Sequence, residues 1–240
     1  RPRFASARPR APRFGMMRDP VSPEPPAEPR ATDARRALPA LLGVVVVDLI
    51  GFGIAIPVLP FLARDFGASG FELGLILTAY AGAQLVFAPL WGRLSDRVGR
   101  RPVMLATIAG TSLSLLWLGL AGSLVAMFFA RLAAGGFAAN VSVAAAYVSD
   151  VTDESERTRW MGLLGACFGV GFVLGPALGG LLSQWGYAVP MLAAAALAAG
   201  NWVHALFALR EPTRHEQSGA RVGRLETLSD PGVLRICLLH

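Results

Sequence analysis

The chain has 240 residues, of which 54% are hydrophobic and 16% charged, and its mean hydropathy is +0.51. Soluble domains are ordinarily less apolar, so this composition predicts a membrane protein. The net charge of +6 is the excess of 22 basic residues, all of them arginine, over 16 acidic residues. Because these arginines are concentrated in the tails and a few short loops, the charge does not indicate nucleic-acid binding.

The chain begins with a polar tail and continues as a series of apolar segments. Residues 1–37 are rich in Pro, Arg and Ala and have no apolar period, so they are predicted to be disordered. Residues 210–240 are predicted to form a cytoplasmic linker, with the start of a further helix possible from Pro231. Between them we predict an all-α membrane bundle of six helices, at 38–62, 71–92, 102–121, 123–148, 159–183 and 187–209.

The connections between these segments differ in charge. The N-terminal tail, 93–101, and the tail from Arg210 are basic, whereas the connections on the other side carry one arginine among them. The positive-inside bias therefore predicts a multi-pass protein of the plasma (inner) membrane with both termini in the cytoplasm. The 149–158 connection has mixed charge, and its side follows from parity with 93–101.

Asp48 lies about ten residues into the first segment, at a depth of about 15 Å, near the middle of the bilayer. An ionised carboxylate at that depth costs about 2.5–3.5 kcal/mol on insertion scales. Asp48 is therefore either a proton-binding or substrate-facing carboxylate, or a protonated side chain hydrogen-bonded to a neighbouring helix. Two prolines, Pro57 and Pro60, are expected to bend or end this helix near its outer end.

Arg131 is the second charge within an apolar segment, about 12 Å deep in the fourth. Because arginine keeps its charge in proteins, it must face a cavity or a carboxylate, unless its long side chain reaches outward to the membrane surface. If the first and fourth helices touch, Arg131 approaches Asp48.

Other polar residues in the segments are candidates for lining a substrate cavity. Each is equally compatible with a satisfied hydrogen bond between helices. These candidates are Tyr80 and Gln84, which share a face of the second helix, Asn140 on the fourth, and Asn201 and His204 on the sixth.

Glycines are concentrated in the fifth segment. Gly171, Gly175 and Gly179 are four residues apart, so they form one smooth stripe on a helix and allow close backbone contact. Pro176 removes one amide hydrogen bond from this helix, and Gly180 adds a further small residue.

The connection between the second and third segments reads Gly-Arg-Leu-Ser-Asp-Arg-Val-Gly-Arg-Arg-Pro over 92–102. Taken alone, it is a basic loop that fixes topology. This arrangement, however, resembles the loop between spans two and three of the major facilitator superfamily of secondary transporters. The Asp-Leu-Ile-Gly-Phe-Gly and Pro-Val-Leu-Pro strings around Asp48 and Pro57 resemble the first-span motif of its twelve-span drug:proton antiporters, which include the tetracycline exporters.

The resemblance implies roles for individual residues. Asp48 and Arg131 match positions of proton coupling, and the glycines with Pro176 match a motif that marks antiporters. A set of loop and helix-end residues matches the cytoplasmic gate of the family, in which charged groups form a relay and a small residue lets a helix of the other half approach: Gly92, Asp96, Arg97, Gly99, Arg100, Arg101 and Asp150.

The implied function is a proton-coupled exporter of small, amphiphilic molecules that works by alternating access, with this chain as the N-terminal half. Its partners would be the solute, protons, membrane lipid and a second six-helix half, and no cofactor or metal. The third segment lacks the acid that tetracycline exporters carry there, which argues against tetracycline and leaves the substrate class open. The alternatives are a facilitator or importer of sugars or organic anions, and a truncated protein that does not transport. No nucleophile–base set or phosphate loop indicates an enzyme.

Overall fold

The computed structural model describes residues 36–211, and this part of the chain is helical throughout its regular structure. The predicted tail 1–37 and the linker 210–240 lie outside it, except for two residues of each. The helices are α1 (Leu38–Asp65), α2 (Gly70–Val98), α3 (Arg100–Gly119), α4 (Leu124–Phe137), α5 (Asn140–Val151), α6 (Glu154–Leu182) and α7 (Ala188–Ala208), with a 3₁₀ turn at Ser183–Trp185.

Six segments of the described chain are long and apolar enough to cross a membrane. Four are single helices. The fourth, Leu124–Val151, consists of α4 followed by α5, and the fifth, Glu154–Trp185, consists of α6 and the 3₁₀ turn. The predicted all-α fold with six membrane-spanning segments is confirmed.

Polar caps fix where two of the helices begin. At the start of α2, the Ser69 hydroxyl accepts a hydrogen bond from the Glu72 amide at 3.3 Å, and Glu72 Oε2 accepts one from the Ser69 amide at 2.8 Å. This reciprocal capping box satisfies amides that have no partner within the helix. The Ser123 hydroxyl caps α4 in a similar way by accepting from the Ala126 amide at 3.2 Å.

The helices extend beyond the apolar runs at the end of the bundle that carries Arg100, which we call the Arg100 end. The second helix continues through the basic motif to Val98, so only Gly99, with φ of +117°, separates it from α3. The sixth helix likewise begins at Glu154, before the predicted 159. Hydropathy marks where lipid ends, whereas a helix continues in water as long as its side chains tolerate helical backbone.

Proline does not end the first helix. Both Pro57 and Pro60 lie inside α1, which continues to Asp65. Within a packed membrane bundle, neighbouring helices and small local adjustments compensate for the amide that proline lacks.

A break divides the fourth membrane span. Ala138 has φ −77° and ψ 61°, and the Ala139 amide donates to the Phe137 carbonyl at 2.8 Å, which is an inverse γ-turn. Side chains of α2 bind carbonyls freed there: Gln84 Nε2 donates to Ala138 at 3.2 Å and Trp91 Nε1 to Gly136 at 2.6 Å. The single helix predicted over 123–148 is therefore two helices held by polar contacts from α2.

The core consists of two apolar clusters at different heights. One cluster, toward the Arg100 end, includes Leu41, Met104 and Tyr147. The other, toward the opposite end, includes Leu59 and Met127. Along α1 the first cluster ends at Leu49 and the second begins at Ile54, so Phe52 lies between the two and Asp48 lies at the edge of the first.

Candidate functional site

A cavity of about 510 Å³ lies where the two apolar clusters meet. Aromatic and aliphatic side chains form most of its wall, and the polar groups on it come from α1 to α5. Its lining includes Asp48, Phe52, Tyr80, Gln84, Thr111, Arg131, Asn140, Ser142 and Phe168.

Asp48 is held on this wall by a polar chain that spans three helices. Asn140 Nδ2, in the first turn of α5, donates to Asp48 Oδ1 at 2.9 Å. The side-chain oxygen of Asn140, Oδ1, in turn accepts a hydrogen bond from the Thr107 hydroxyl of α3. Because the break in the fourth span places Asn140 at the start of a helix, its side chain reaches both neighbours. The carboxyl group therefore has a fixed orientation and still borders the cavity.

Arg131 borders the same cavity and is only 4% exposed. Its guanidinium carbon lies 4.3 Å from the centre of the Tyr80 ring, a cation–π contact. The Tyr80 ring lies 5.4 Å from that of Phe52, one helical turn from Asp48 on α1. Within residues 36–211 Arg131 has no ion pair with an acid. The predicted approach of Arg131 to Asp48 therefore does not form a salt bridge, and the guanidinium lies on the Tyr80 ring instead.

The structure brings some of the predicted cavity residues together and leaves others apart. Tyr80, Gln84 and Asn140 line the cavity with Asp48 and Arg131. Asn201 and His204 do not: Asn201 is buried and donates to the Val44 carbonyl at 2.9 Å, and His204 is exposed. Both belong to α7, which packs against α1 and α3 away from the cavity, and periodicity alone does not reveal that direction.

The glycine stripe of α6 lies directly against α1. A Cβ atom built on Gly175 would lie 2.5 Å from Gly53 Cα, and one on Gly171 would lie 2.6 Å from Leu49 Cβ. A Cβ on Gly179 would meet the Ile54 carbonyl oxygen at 2.7 Å. These three glycines are required by the close approach, whereas around Gly180 nothing lies within 4 Å. Pro176 also belongs to this contact, since its Cδ faces Gly53.

The predicted charge relay surrounds one guanidinium at the Arg100 end. Arg100 Nη1 lies 2.7 Å from Asp96 Oδ1, and Arg100 Nε donates to Asp150 Oδ2 at 2.8 Å. The Ser95 hydroxyl accepts a further bond from Nη1 at 2.6 Å. Arg100 is therefore the residue that ties the end of α2 to the end of α5.

The remaining predicted gate residues have different surroundings. Arg101 Nη2 donates to the Leu206 carbonyl of α7 at 2.7 Å. Arg97 is exposed, and a Cβ atom on Gly92 would meet nothing within 4 Å. In the described part of the chain, Arg97 and Gly92 thus face outward from the bundle.

Glu211 contacts the start of α3, which the sequence did not indicate. Its carboxylate accepts hydrogen bonds from the backbone amides of Arg100 at 2.6 Å and Arg101 at 3.0 Å, and so caps α3. Negative charge is favourable at a helix N-terminus. Glycine suits position 99 for two reasons. Its φ is positive, and a Cβ atom there would lie only 2.6 Å from Glu211 Oε1.

Replacement of Arg100 by Gln is expected to lower the free energy of unfolding by about 1–3 kcal/mol, because charged hydrogen bonds to Asp96 and Asp150 are lost. The measurement is thermal unfolding of the purified chain in detergent. Arg93→Gln, an exposed change of the same charge on the adjoining helix α2, serves as the control and should melt like the unmutated chain. Equal melting temperatures for the two variants would contradict the relay.

Three further polar residues of the site were missed at the sequence level. Thr107 holds Asn140, and Thr111 and Ser142 line the cavity. The two threonines are four residues apart in an apolar segment, which places both on one helical face. This spacing is the signal that could have identified them.

Comparison with known proteins agrees with this architecture. The model of the Major Facilitator Superfamily matches residues 41–239. The tetracycline resistance protein, class E, of Escherichia coli is 40% identical over 179 residues, which cover 73% of this chain and 44% of that protein. Multidrug resistance protein 2 of Bacillus subtilis (strain 168) is 34% identical over 178 residues, 74% of this chain and 44% of that protein.

A solved structure shows the same likeness in three dimensions. The human organic anion transporter MFSD10 (TETRAN) superposes with a TM-score of 0.66 at 28% identity, over 75% of this chain and 48% of that protein. The chain thus spans about half the length of the relatives it matches. It is a multi-pass integral membrane protein, and on the match across most of its length it belongs to the major facilitator superfamily, a family of transporters.

Proposed function

We propose that this chain forms the N-terminal half of a proton-coupled exporter of small amphiphilic molecules that works by alternating access. The single observation that carries the proposal is the cavity, in which a carboxyl group and a guanidinium share an otherwise apolar wall. The relatives named for tetracycline and multidrug resistance support export as the direction of transport.

Asp48 is the proposed proton-binding group. A carboxyl group in lipid surroundings is strongly disfavoured as an anion unless donors compensate it. Asn140 supplies one such donor to Oδ1, and the cavity gives the group a route to water or solute. Binding and release of one proton therefore need no rearrangement of the backbone around it.

Arg131 is the proposed tuning group. Its fixed positive charge borders the same cavity, and the interaction between two charges in a medium of low dielectric constant is large even without contact. A positive charge favours the ionised form of Asp48, whereas burial favours the protonated form. A solute that enters between the two would alter that balance and so couple its own binding to the proton.

Asp96, Arg100 and Asp150 are the proposed cytoplasmic gate. They connect α2 and α5 through the Arg100 guanidinium. The Asp96 side chain is 59% exposed, so it can accept a hydrogen bond from a further donor. Gly92 and Arg97, which face outward from the bundle, would meet the other half of the transporter. This assignment puts both chain termini in the cytoplasm and the protein in the plasma (inner) membrane.

The second wall of the transport path is proposed to come from another six-helix unit. In the most apolar 18-residue stretch of α2 and of α6, only 17% and 22% of the residues are buried, against 50% in α1. Leu85 and Val173, on these two helices, are 78% and 70% exposed. A C-terminal half or a second copy of the chain would cover these faces.

The proposal is tested by proton release from everted membrane vesicles whose lumen has been acidified. The chain is produced alone and, in parallel, extended by the C-terminal half of the class E tetracycline resistance protein. Adding 2-naphthalenesulfonate, ethidium or tetracycline should raise the lumenal pH in at least one of the two, reported by a pH-sensitive dye. The absence of proton release from both would contradict the exporter. Solute counterflow without proton release would instead identify a facilitator.

A further inference from the structure

Two buried polar groups on the cavity wall lack a hydrogen-bond partner in the described chain. They are Arg131 Nε and the Thr111 hydroxyl. Both residues line the same cavity. Arginine presents five N–H donors and accepts none, so what Arg131 lacks is an acceptor. A guanidinium that is 4% exposed and has neither a carboxylate nor a carbonyl to bind is far from its usual environment.

The carboxyl group of the cavity does not supply that acceptor. Asp48 Oδ1 accepts a hydrogen bond from Asn140, and no ion pair joins Asp48 to Arg131 within residues 36–211. The guanidinium instead lies over the Tyr80 ring, and its Nε has no hydrogen-bond partner. Arg131 and Thr111 are therefore polar groups of the cavity wall whose hydrogen-bonding capacity is unused.

The cavity wall beside Arg131 is aromatic. The rings of Phe52 and Tyr80 are inclined by 32° with centroids 5.4 Å apart, and Phe168 lies on the same wall. Such faces bind flat apolar groups well, since aromatic pairs add favourable contacts beyond burial alone. A flat group placed here lies within reach of Arg131, because the guanidinium already rests on the Tyr80 ring.

We propose that Arg131 and Thr111 form an anion subsite of the cavity, which binds the acidic group of an aromatic molecule whose ring packs on Phe52 and Tyr80. The guanidinium donates two hydrogen bonds to one carboxylate or sulfonate, and the Thr111 hydroxyl donates a third. The inference rests on the proposed function, since it names the class of solute that would be exported. It makes aromatic acids, rather than aromatic cations, the preferred ligands.

The test compares three probes that share a ring and differ in charge: 2-naphthoate, neutral 2-naphthamide and the cation of 2-naphthylmethylamine. Their affinities for the purified full chain in lipid nanodiscs are measured by calorimetry. We expect 2-naphthoate to bind about tenfold more tightly than the amide and the amine to bind most weakly, since hydrogen bonds between a guanidinium and an anion are stronger than those to a neutral acceptor. Equal or tighter binding of the amide or the amine would overturn the subsite.

Variants assign the preference to residues. Arg131→Gln should bind the acid and the amide equally, Arg131→Lys should keep part of the preference, and Thr111→Val should weaken 2-naphthoate binding by a few-fold. Arg64→Gln, an exposed change of the same charge outside the cavity, should bind like the unmutated chain. A preference for the acid that survives in a folded Arg131→Gln variant also overturns the proposal. If that variant does not fold, the ranking of probes by the unmutated chain and by Arg131→Lys decides.

Failure of this subsite can be distinguished from failure of the exporter. Binding of 2-naphthoate is measured without a proton gradient, so its outcome does not depend on proton-coupled transport. Proton release without a preference for the acid would contradict the subsite alone, whereas acid binding that depends on Arg131 without proton release would contradict the exporter alone.

Discussion

Asp48→Asn is expected to reduce solute-driven proton release to the level of vesicles that lack the chain. Asparagine has nearly the same shape as aspartate and still accepts the hydrogen bond from Asn140, but it cannot bind and release a proton. Because the substitution also removes a charge from the membrane interior, the variant should fold at least as well as the unmutated chain. The measurement is dye fluorescence in acidified everted vesicles, using whichever form of the chain is active.

Asp65→Asn provides the matched control for this experiment. Asp65 is the last residue of α1 and is exposed, so the same chemical change is made on the same helix outside the cavity. Its proton release should equal that of the unmutated chain. Full activity of Asp48→Asn would refute the proton role of Asp48, and an equal loss in both variants would show that the assay reports carboxylates in general.

Gly175→Ala is expected to disrupt the packing of α1 on α6. The new methyl group would lie 2.5 Å from Gly53 Cα and 2.6 Å from Gly53 C, and these are backbone atoms that cannot rotate away. Overpacking of this kind costs about 1–3 kcal/mol and more when main chains must separate. The expected result is a lower melting temperature in detergent and a loss of monodisperse protein on size-exclusion chromatography.

Gly180→Ala separates this steric effect from helix propensity. It lies on the same helix five residues away, and nothing within 4 Å opposes a methyl group there. It should therefore leave the melting temperature unchanged or raise it slightly, because alanine is the better helix former. Similar destabilisation in both variants would argue that α6 does not tolerate alanine at any position, and that the contact with Gly53 is not the cause.

The number of membrane spans could be predicted because a helix that crosses lipid must be a long apolar segment, and the sequence contains six such segments. The extent of the helices could not be predicted from the same rule. Residues 93–98 contain three charged side chains and are still helical, because a helix that extends into water is not limited by the thickness of the lipid. The break at Ala138 also could not be predicted. Ala138 and Ala139 are not helix-breaking residues, and the turn is stabilised by Gln84 and Trp91 of another helix.

Charge in an apolar run was the reliable guide to the site. Asp48 and Arg131 were selected for the energetic cost of a buried charge, and both line the cavity. Hydroxyl and amide side chains carry a smaller cost, so the sequence does not determine which of them face the cavity. Thr107 and Thr111 were overlooked for that reason, and Asn201 and His204 were included although α7 turns them away. The Glu211 cap depends on two helix ends meeting, which only the tertiary structure supplies.

In the seam between α1 and α6, main chain meets main chain where Gly53 contacts Gly171 and Gly175 without intervening side chains. The height at which the Asp48 backbone lies in the membrane is therefore set by this contact, while Asn140 orients the carboxyl group. Homologues can exchange the other lining residues, and with them the spectrum of solutes, while the carboxyl group stays where it is. We expect solute selectivity to diverge faster than the driving ion in transporters that keep this seam.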